Sequence, residues 1–117
     1  MAHQLSSGMR TCVEHCQACE SVCLETMSHC LELGGPHAEA RHMKGLAACA
    51  EICGTSARFI LLGSEHHVRT CGVCAEVCVA CAEDCDRFDD ELMKRCAEIC
   101  RRCAESCREM AGSHAHI

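Results

Sequence analysis

Sulfur dominates the reactive side chains of this sequence. Cys12, Cys16, Cys19 and Cys23 step by 4-3-4, Cys71, Cys74, Cys78, Cys81 and Cys85 by 3-4-3-4, and Cys96, Cys100, Cys103 and Cys107 by 4-3-4 again. Cys49 and Cys53 add one more step of four, and Cys30 brings the total to 16 cysteines in 117 residues. A thiolate can be a nucleophile, a redox centre or a soft metal ligand. The spacing has to decide among these.

Steps of three and four keep side chains on one stripe of an α-helix, the a/d rule for the inner seam of a bundle. All 16 cysteines fall on such inward positions. Seven C-x3-C pairs result: Cys12/Cys16, Cys19/Cys23, Cys49/Cys53, Cys74/Cys78, Cys81/Cys85, Cys96/Cys100 and Cys103/Cys107. Neighbours at i and i+4 have Cβ atoms about 5–6 Å apart. Metal–sulfur bonds of about 2.3 Å, the zinc value, would let one ion bridge such a pair.

The elements that must hold these stripes follow from three breaks. Gly34-Gly35-Pro36 is a C-cap glycine followed by a proline suited to a helix start. Gly63-Ser64 is a stop followed by a capping serine. In Arg87-Phe88-Asp89-Asp90 an aspartate can cap the next helix. The segments between them, roughly 5–33, 37–62, 65–87 and 90–111, are rich in helix formers, and none alternates with period two. Each would span about 33–43 Å as a helix. Short connections predict an all-α, antiparallel up-down-up-down four-helix bundle with a Cys-lined core, one domain over 1–117 with a flexible tail at 112–117.

Composition agrees. Apolar residues are 49% on a count that includes Cys, with 2 Phe and no Trp or Tyr. Cysteine must therefore act as a core residue, packing as a small hydrophobe. The net charge is −6 with acidic residues scattered along the chain, so there is no basic stripe for nucleic acid. No apolar run approaches membrane length, and the start, Met-Ala-His-Gln-Leu-Ser-Ser-Gly, has no apolar signal core. The expected compartment is the cytosol, where thiols stay reduced.

Four readings of the stripe compete. One or two buried cysteines are commonly structural, but sixteen in phase displace Leu and Ile almost completely from three helices. Disulfides within one helix would need distortion, because i and i+4 side chains point in parallel. Zinc and iron–sulfur sites favour knuckles and short loops, whereas these cysteines sit mid-helix. Sixteen thiolates with four Zn²⁺ would also bury about eight uncompensated negative charges. Cu(I) is monovalent and soft, and one ion per thiolate leaves the core neutral. The residues thus favour storage of multiple Cu(I) ions without turnover. A zinc or iron–sulfur protein, or a disulfide-stapled or thiol-redox bundle, stands as the alternative. An enzyme would need one distinguished, exposed, low-pKa cysteine, and these look equivalent.

The stretches Cys12-Val-Glu-His-Cys-Gln-Ala-Cys, Cys49-Ala-Glu-Ile-Cys53, Cys71-Gly-Val-Cys-Ala-Glu-Val-Cys-Val-Ala-Cys-Ala-Glu-Asp-Cys85 and Cys96-Ala-Glu-Ile-Cys-Arg-Arg-Cys-Ala-Glu-Ser-Cys107 resemble those of the cytosolic bacterial copper storage proteins. With the linkers, the resemblance covers nearly the whole chain. It implies a homotetramer of bundles, each filled with Cu(I), with ions entering at one bundle end and apolar side chains closing the other. A copper chaperone or efflux protein is the partner class with which such a store would exchange ions. The chain departs from the pattern where helix one meets helix two and helix three meets helix four. His42, Phe88, Leu92 and Met93 stand there, and His42 takes a seam position where a relative would carry Cys.

Helix two is thiol-poor: its other seam positions are His42, Leu46, Ser56 and Ile60. In helix one the seam begins at Leu5 and Met9 and runs on through Met27 to Cys30. An antiparallel bundle gathers Met9, His66, His67 and Met110 at one end, with His114 and His116 of the tail. The other end gathers Met27, His29, Cys30, His37, His42, Met43 and Met93. A buried seam histidine needs a polar partner or a metal, so His42, Met27 and Met93 join the candidate ligands and mark the expected copper entrance. His15 and His29 are expected to be solvated. Val73, Val77 and Ala80, with Ala47 and Ala57 on another helix, form small-residue lines that could bury a subunit interface.

Overall fold

Ser6 starts the first helix by accepting a hydrogen bond on its hydroxyl from the Met9 N–H at 3.1 Å, a side-chain N-cap. In the computed structural model, which describes residues 4–112, helix α1 runs Ser7–Leu33 and α2 runs Ala40–Leu61. Helix α3 runs His67–Cys85 and α4 runs Glu91–Gly112. The tail beyond 112, with His114 and His116, lies outside the described residues.

Gly34 closes α1 at φ 70°, and its N–H bonds to the Cys30 carbonyl at 3.0 Å. Only glycine takes that backbone conformation without strain. Pro36 does not open α2, as the glycine–proline pattern suggests. It sits in a short 3₁₀ turn, Gly35–Ala38, and Glu39 at ψ 140° delays the helix to Ala40. Ser64 likewise does not cap α3. It accepts the His66 N–H on its Oγ at 3.2 Å inside the turn between α2 and α3.

Each helix packs against two others. α1 lies beside α2 and α4, α3 also lies beside α2 and α4, and the pairs α1/α3 and α2/α4 face each other across the diagonal. The result is an antiparallel four-helix bundle with extents of 52 × 25 × 21 Å. No described helix is long and apolar enough to cross a membrane.

The core is built from two residue types on adjacent stripes. Cysteines fill the axis. Beside them Ala50 and Ala57 on α2, Ala75 and Ala82 on α3, and Ala97 and Ala104 on α4 recur every seven residues and are buried against the neighbouring helices. Ala57 is thus inside the bundle at 2% exposure and cannot belong to an outer interface line. Val73, in contrast, is 49% exposed. At Gly54 α1 and α2 approach so closely that a Cβ would lie 2.5 Å from Oε2 of Glu20.

Candidate metal centre

All sixteen cysteines are free and buried, with sulfurs turned toward the bundle axis. The heptad phase explains this outcome, because each cysteine sits on the stripe that faces the opposite helices. Sulfur contacts join neighbouring helices: Cys16 to Cys107 at 3.5 Å, Cys53 to Cys78 at 3.5 Å and Cys19 to Cys100 at 3.6 Å. They also cross the diagonals: Cys19 to Cys78 at 3.9 Å, Cys53 to Cys103 at 3.8 Å and Cys49 to Cys100 at 4.0 Å. A Leu-filled core could not close to such distances. The one-carbon side chain of cysteine makes the tube this narrow.

The sulfurs gather into overlapping groups whose members all lie within 4.8 Å of one another. Cys16, Cys74, Cys103 and Cys107 form one; Cys19, Cys53, Cys78 and Cys103 the next. Cys19, Cys23, Cys49 and Cys100 follow, then Cys23, Cys81, Cys96 and Cys100. At one end Cys12, Cys71 and Cys107 make a group of three. Cys19, Cys23, Cys100, Cys103 and Cys107 each belong to two groups, so the sites share ligands along the tube. With bonds of about 2.3 Å, three sulfurs around one ion stand about 4 Å apart, which matches the observed contacts.

On α2, which gives no sulfur to the three-sulfur group, the next seam residue toward that end is Ser56. Its helix carries Cys53 against Cys74 and Cys103, and Ser56 stands one step further toward that end. Ser56 is fully buried, and its Oγ has no hydrogen-bond partner. Beyond it Ile60, Met9, Leu5 and Met110 pack on the core, and His67 turns Nδ1 to the Ser64 carbonyl at 2.8 Å. Apolar side chains therefore predominate at that end.

The opposite end is polar and aromatic. His42 is fully buried; its Nε2 lies 3.5 Å from Cys30 Sγ and its Nδ1 2.5 Å from Asp84 Oδ2. Met93 is also fully buried, with its sulfur 3.6 Å from Cys30 Sγ. Met27 does not share that place. It is half-buried at the core's edge, and the inward position of its turn belongs to Thr26, which donates its hydroxyl to the Val22 carbonyl at 2.6 Å. Steps of 3-4 and 4-3 from Cys23 both keep the seam, and the threonine can be buried because its helix satisfies it. Cys30 and Cys85 stand outside the close sulfur groups.

Two histidines expected at the surface are held instead. His29 and His37 each place Nε2 3.0 Å from a different oxygen of Asp90, and His15 meets Ser106 Oγ at 2.5 Å. Phe88 lies against His37 and His42, with ring centroids 4.3 and 4.9 Å apart. Asp84, Asp90, Ser106 and Thr26 are the partners that sequence reasoning missed. The carboxylates lie on or next to α3 and α4, and no spacing along the chain links them to histidines of α1 and α2.

The electrostatics follow from burial. Desolvation, with the Asp90 charge next, pushes the Cys30 thiol up to about 11. Within the tube the contact with Cys107 pulls Cys12 down, while contacts with Cys103 and Cys12 push Cys107 up. Asp84 is held below the usual carboxylate range: partial burial opposes this, but hydrogen bonds from His42 and Arg87 prevail.

A family model described as copper storage protein matches residues 5–112. Among curated proteins no relative matches the sequence. A crystal structure of a Nitrosospira multiformis protein is 45% identical over 92% of this chain and 97% of that one, with a TM-score of 0.88. The Cu(I)-bound copper storage protein BsCsp3 is 30% identical over 90% of this chain and 99% of its own, with a TM-score of 0.85. The apo copper storage protein 3 of Bacillus subtilis is 30% identical over 87% and 97%, with a TM-score of 0.79.

Proposed function

Because this chain belongs to the copper storage protein family, we propose that it stores multiple Cu(I) ions on the thiolates of its sixteen buried cysteines. The observation that carries this reading is the sharing of sulfurs between successive groups along a tube in which, among the described residues, no Lys or Arg is buried. Divalent Zn²⁺ on four thiolates apiece would leave buried negative charge along such a tube. Shared sulfurs suit an ion content with two or three bonds per ion. Each thiol that binds copper releases its proton, and one monovalent ion per thiolate keeps the dry interior neutral.

His42 and Met93 extend the ligand set beyond the thiols, with Met27 half-buried at the core's edge as a further thioether. A thioether and an imidazole hold a soft ion less tightly than thiolate does, which suits the last and weakest site of the tube. Asp84 orients His42. With the carboxylate ionised, Nδ1 carries the hydrogen and Nε2 keeps its lone pair toward Cys30, the arrangement of a supported metal histidine. The apolar opposite end is the closed one. The store would work in the cytosol as a homotetramer without catalytic turnover, exchanging ions with a copper chaperone or efflux protein.

Competition between metals tests the proposal. Reduced protein equilibrated with Zn²⁺ and then given Cu(I) must release all its zinc. Zinc retained in the presence of excess Cu(I) would overturn the reading.

A further inference from the structure

The polar end of the tube is covered along the axis. Phe88, from the α3–α4 connection, packs on His37, from the α1–α2 connection, and on His42. Asp90 ties His29 to His37 across the same end. An ion coming straight down the axis would have to displace these rings. Yet one cysteine touches solvent elsewhere: Cys81 is 4% exposed, whereas the other fifteen are at 0%.

Cys81 is reached from the side. It forms part of the floor of a groove of about 330 Å³ between α2 and α3, walled by Arg41, Gly45 and Ala48 on one helix and Ala80 and Asp84 on the other. The groove exists because α2 is thiol-poor and carries small residues here. Gly45 leaves open space, since a Cβ built on it meets nothing within 4 Å. Asp84, which holds His42, stands at one edge and faces a second hollow that Arg41, Arg87, Glu39 and Glu83 also line, so the approach is polar and of mixed charge. Inward, Cys81 belongs to the group with Cys23, Cys96 and Cys100, and two of those, Cys23 and Cys100, pass on to the next group.

We propose that Cys81 is the receiving thiol of a lateral portal between α2 and α3, where Cu(I) is handed over from a low-molecular-weight thiol complex. The inference rests on the storage reading and adds its loading route. The size of the groove decides the carrier class: about 330 Å³ is the lower end of the ~300–1,000 Å³ typical of small-molecule sites, too small for a folded domain. The chemistry is ligand exchange without redox change. Cys81–SH meets a two-coordinate complex RS–Cu–SR⁻; a Cu–S bond forms to Cys81, one Cu–SR bond breaks, and the Cys81 proton leaves with the departing thiolate as RSH. A second exchange with the thiol of Cys23, Cys96 or Cys100 draws the ion inside: its Cu–S bond forms, the remaining Cu–SR bond breaks, and its proton leaves with the carrier as RSH.

Two measurements test the portal. Brief treatment of reduced apo-protein with a small neutral alkylating reagent, read by peptide mass spectrometry, must label Cys81 first. First labelling at Cys30 or at any other cysteine overturns the proposal. Gly45→Phe fills the groove over Cys81 without replacing any ligand, with Gly45→Ala as a control for helix propensity. With a glutathione complex of Cu(I) as donor, Gly45→Phe should slow loading at least tenfold and reach the same final copper content, while Gly45→Ala loads at the wild-type rate. A Gly45→Phe protein that loads as fast as wild type contradicts the lateral route. A wild-type protein that takes up little copper at equilibrium contradicts storage instead, so the two failures are separate. If Gly45→Phe does not fold, the labelling order still decides.

Discussion

Nδ1 of His42 lies 2.5 Å from Oδ2 of Asp84, on a different helix, and this pairing turns Nε2 of the same buried ring toward Cys30 at 3.5 Å. Asp84→Asn removes the charge that fixes the ring. Partners of this kind are worth about 10–100-fold in metal affinity. The variant should therefore hold its most weakly bound copper about 10–100-fold less tightly, with the total content changed by no more than about one ion. Competition with a Cu(I) chelator over the last equivalents measures this. An unchanged affinity would remove Asp84 and His42 from the site.

Ser56 offers a gain-of-function test. It is buried without a partner beside the only group of three sulfurs found among the described residues. A buried unpaired hydroxyl costs about 1–3 kcal/mol. Ser56→Cys should raise the melting temperature of the reduced apo-protein and add about one copper ion. Ser56→Ala should raise the melting temperature alone. If Ser56→Cys binds no more copper than Ser56→Ala, Ser56 does not face the sulfur tube.

The sequence carried the heptad phase of the cysteines, and that phase settles both the bundle and the direction of every thiol. What it could not carry is the rotation of one helix against another. Cys30 is on the seam under either step from Cys23, but whether Thr26 or Met27 lies inside depends on the local turn of α1, and Thr26 wins because Val22 accepts its hydroxyl. Asp84 and Asp90 read as surface acids in the sequence, and only the packed bundle sets them against His42, His29 and His37. Pro36 looked like a helix start, but the two positive-φ glycines before it, at 70° and 58°, swing the chain into a 3₁₀ turn first.

The apo-protein should lose stability in alkali. Burial raises Cys30 from 9.0 to about 11, so the folded state keeps a proton that the unfolded state has begun to lose. The contribution is complete below pH 9 and disappears as the pH rises through about 11. Urea unfolding at pH 7, 9 and 11 checks the slope. Copper-loaded protein, whose thiols have already lost their protons, should not show it.

Asp90 predicts the opposite limb. Burial opposes ionisation, but hydrogen bonds from His37 and His29 hold this carboxylate below its usual range. Its contribution is present above about pH 3.9 and is lost as the pH falls through the depressed value. Asp90→Asn should lower the melting temperature at pH 6, and the gap from wild type should narrow steadily as the pH falls below about 3.9. A gap that does not change with pH below that point would show that the asparagine acts through something other than lost charge.

Anaerobic titration of the fully reduced protein with Cu(I), against a competing chelator, bears most directly on storage by shared thiolates. The account predicts tight uptake that continues past the number of separate four-cysteine sites and approaches one ion per thiol, sixteen in all. Saturation at four ions or fewer would contradict it.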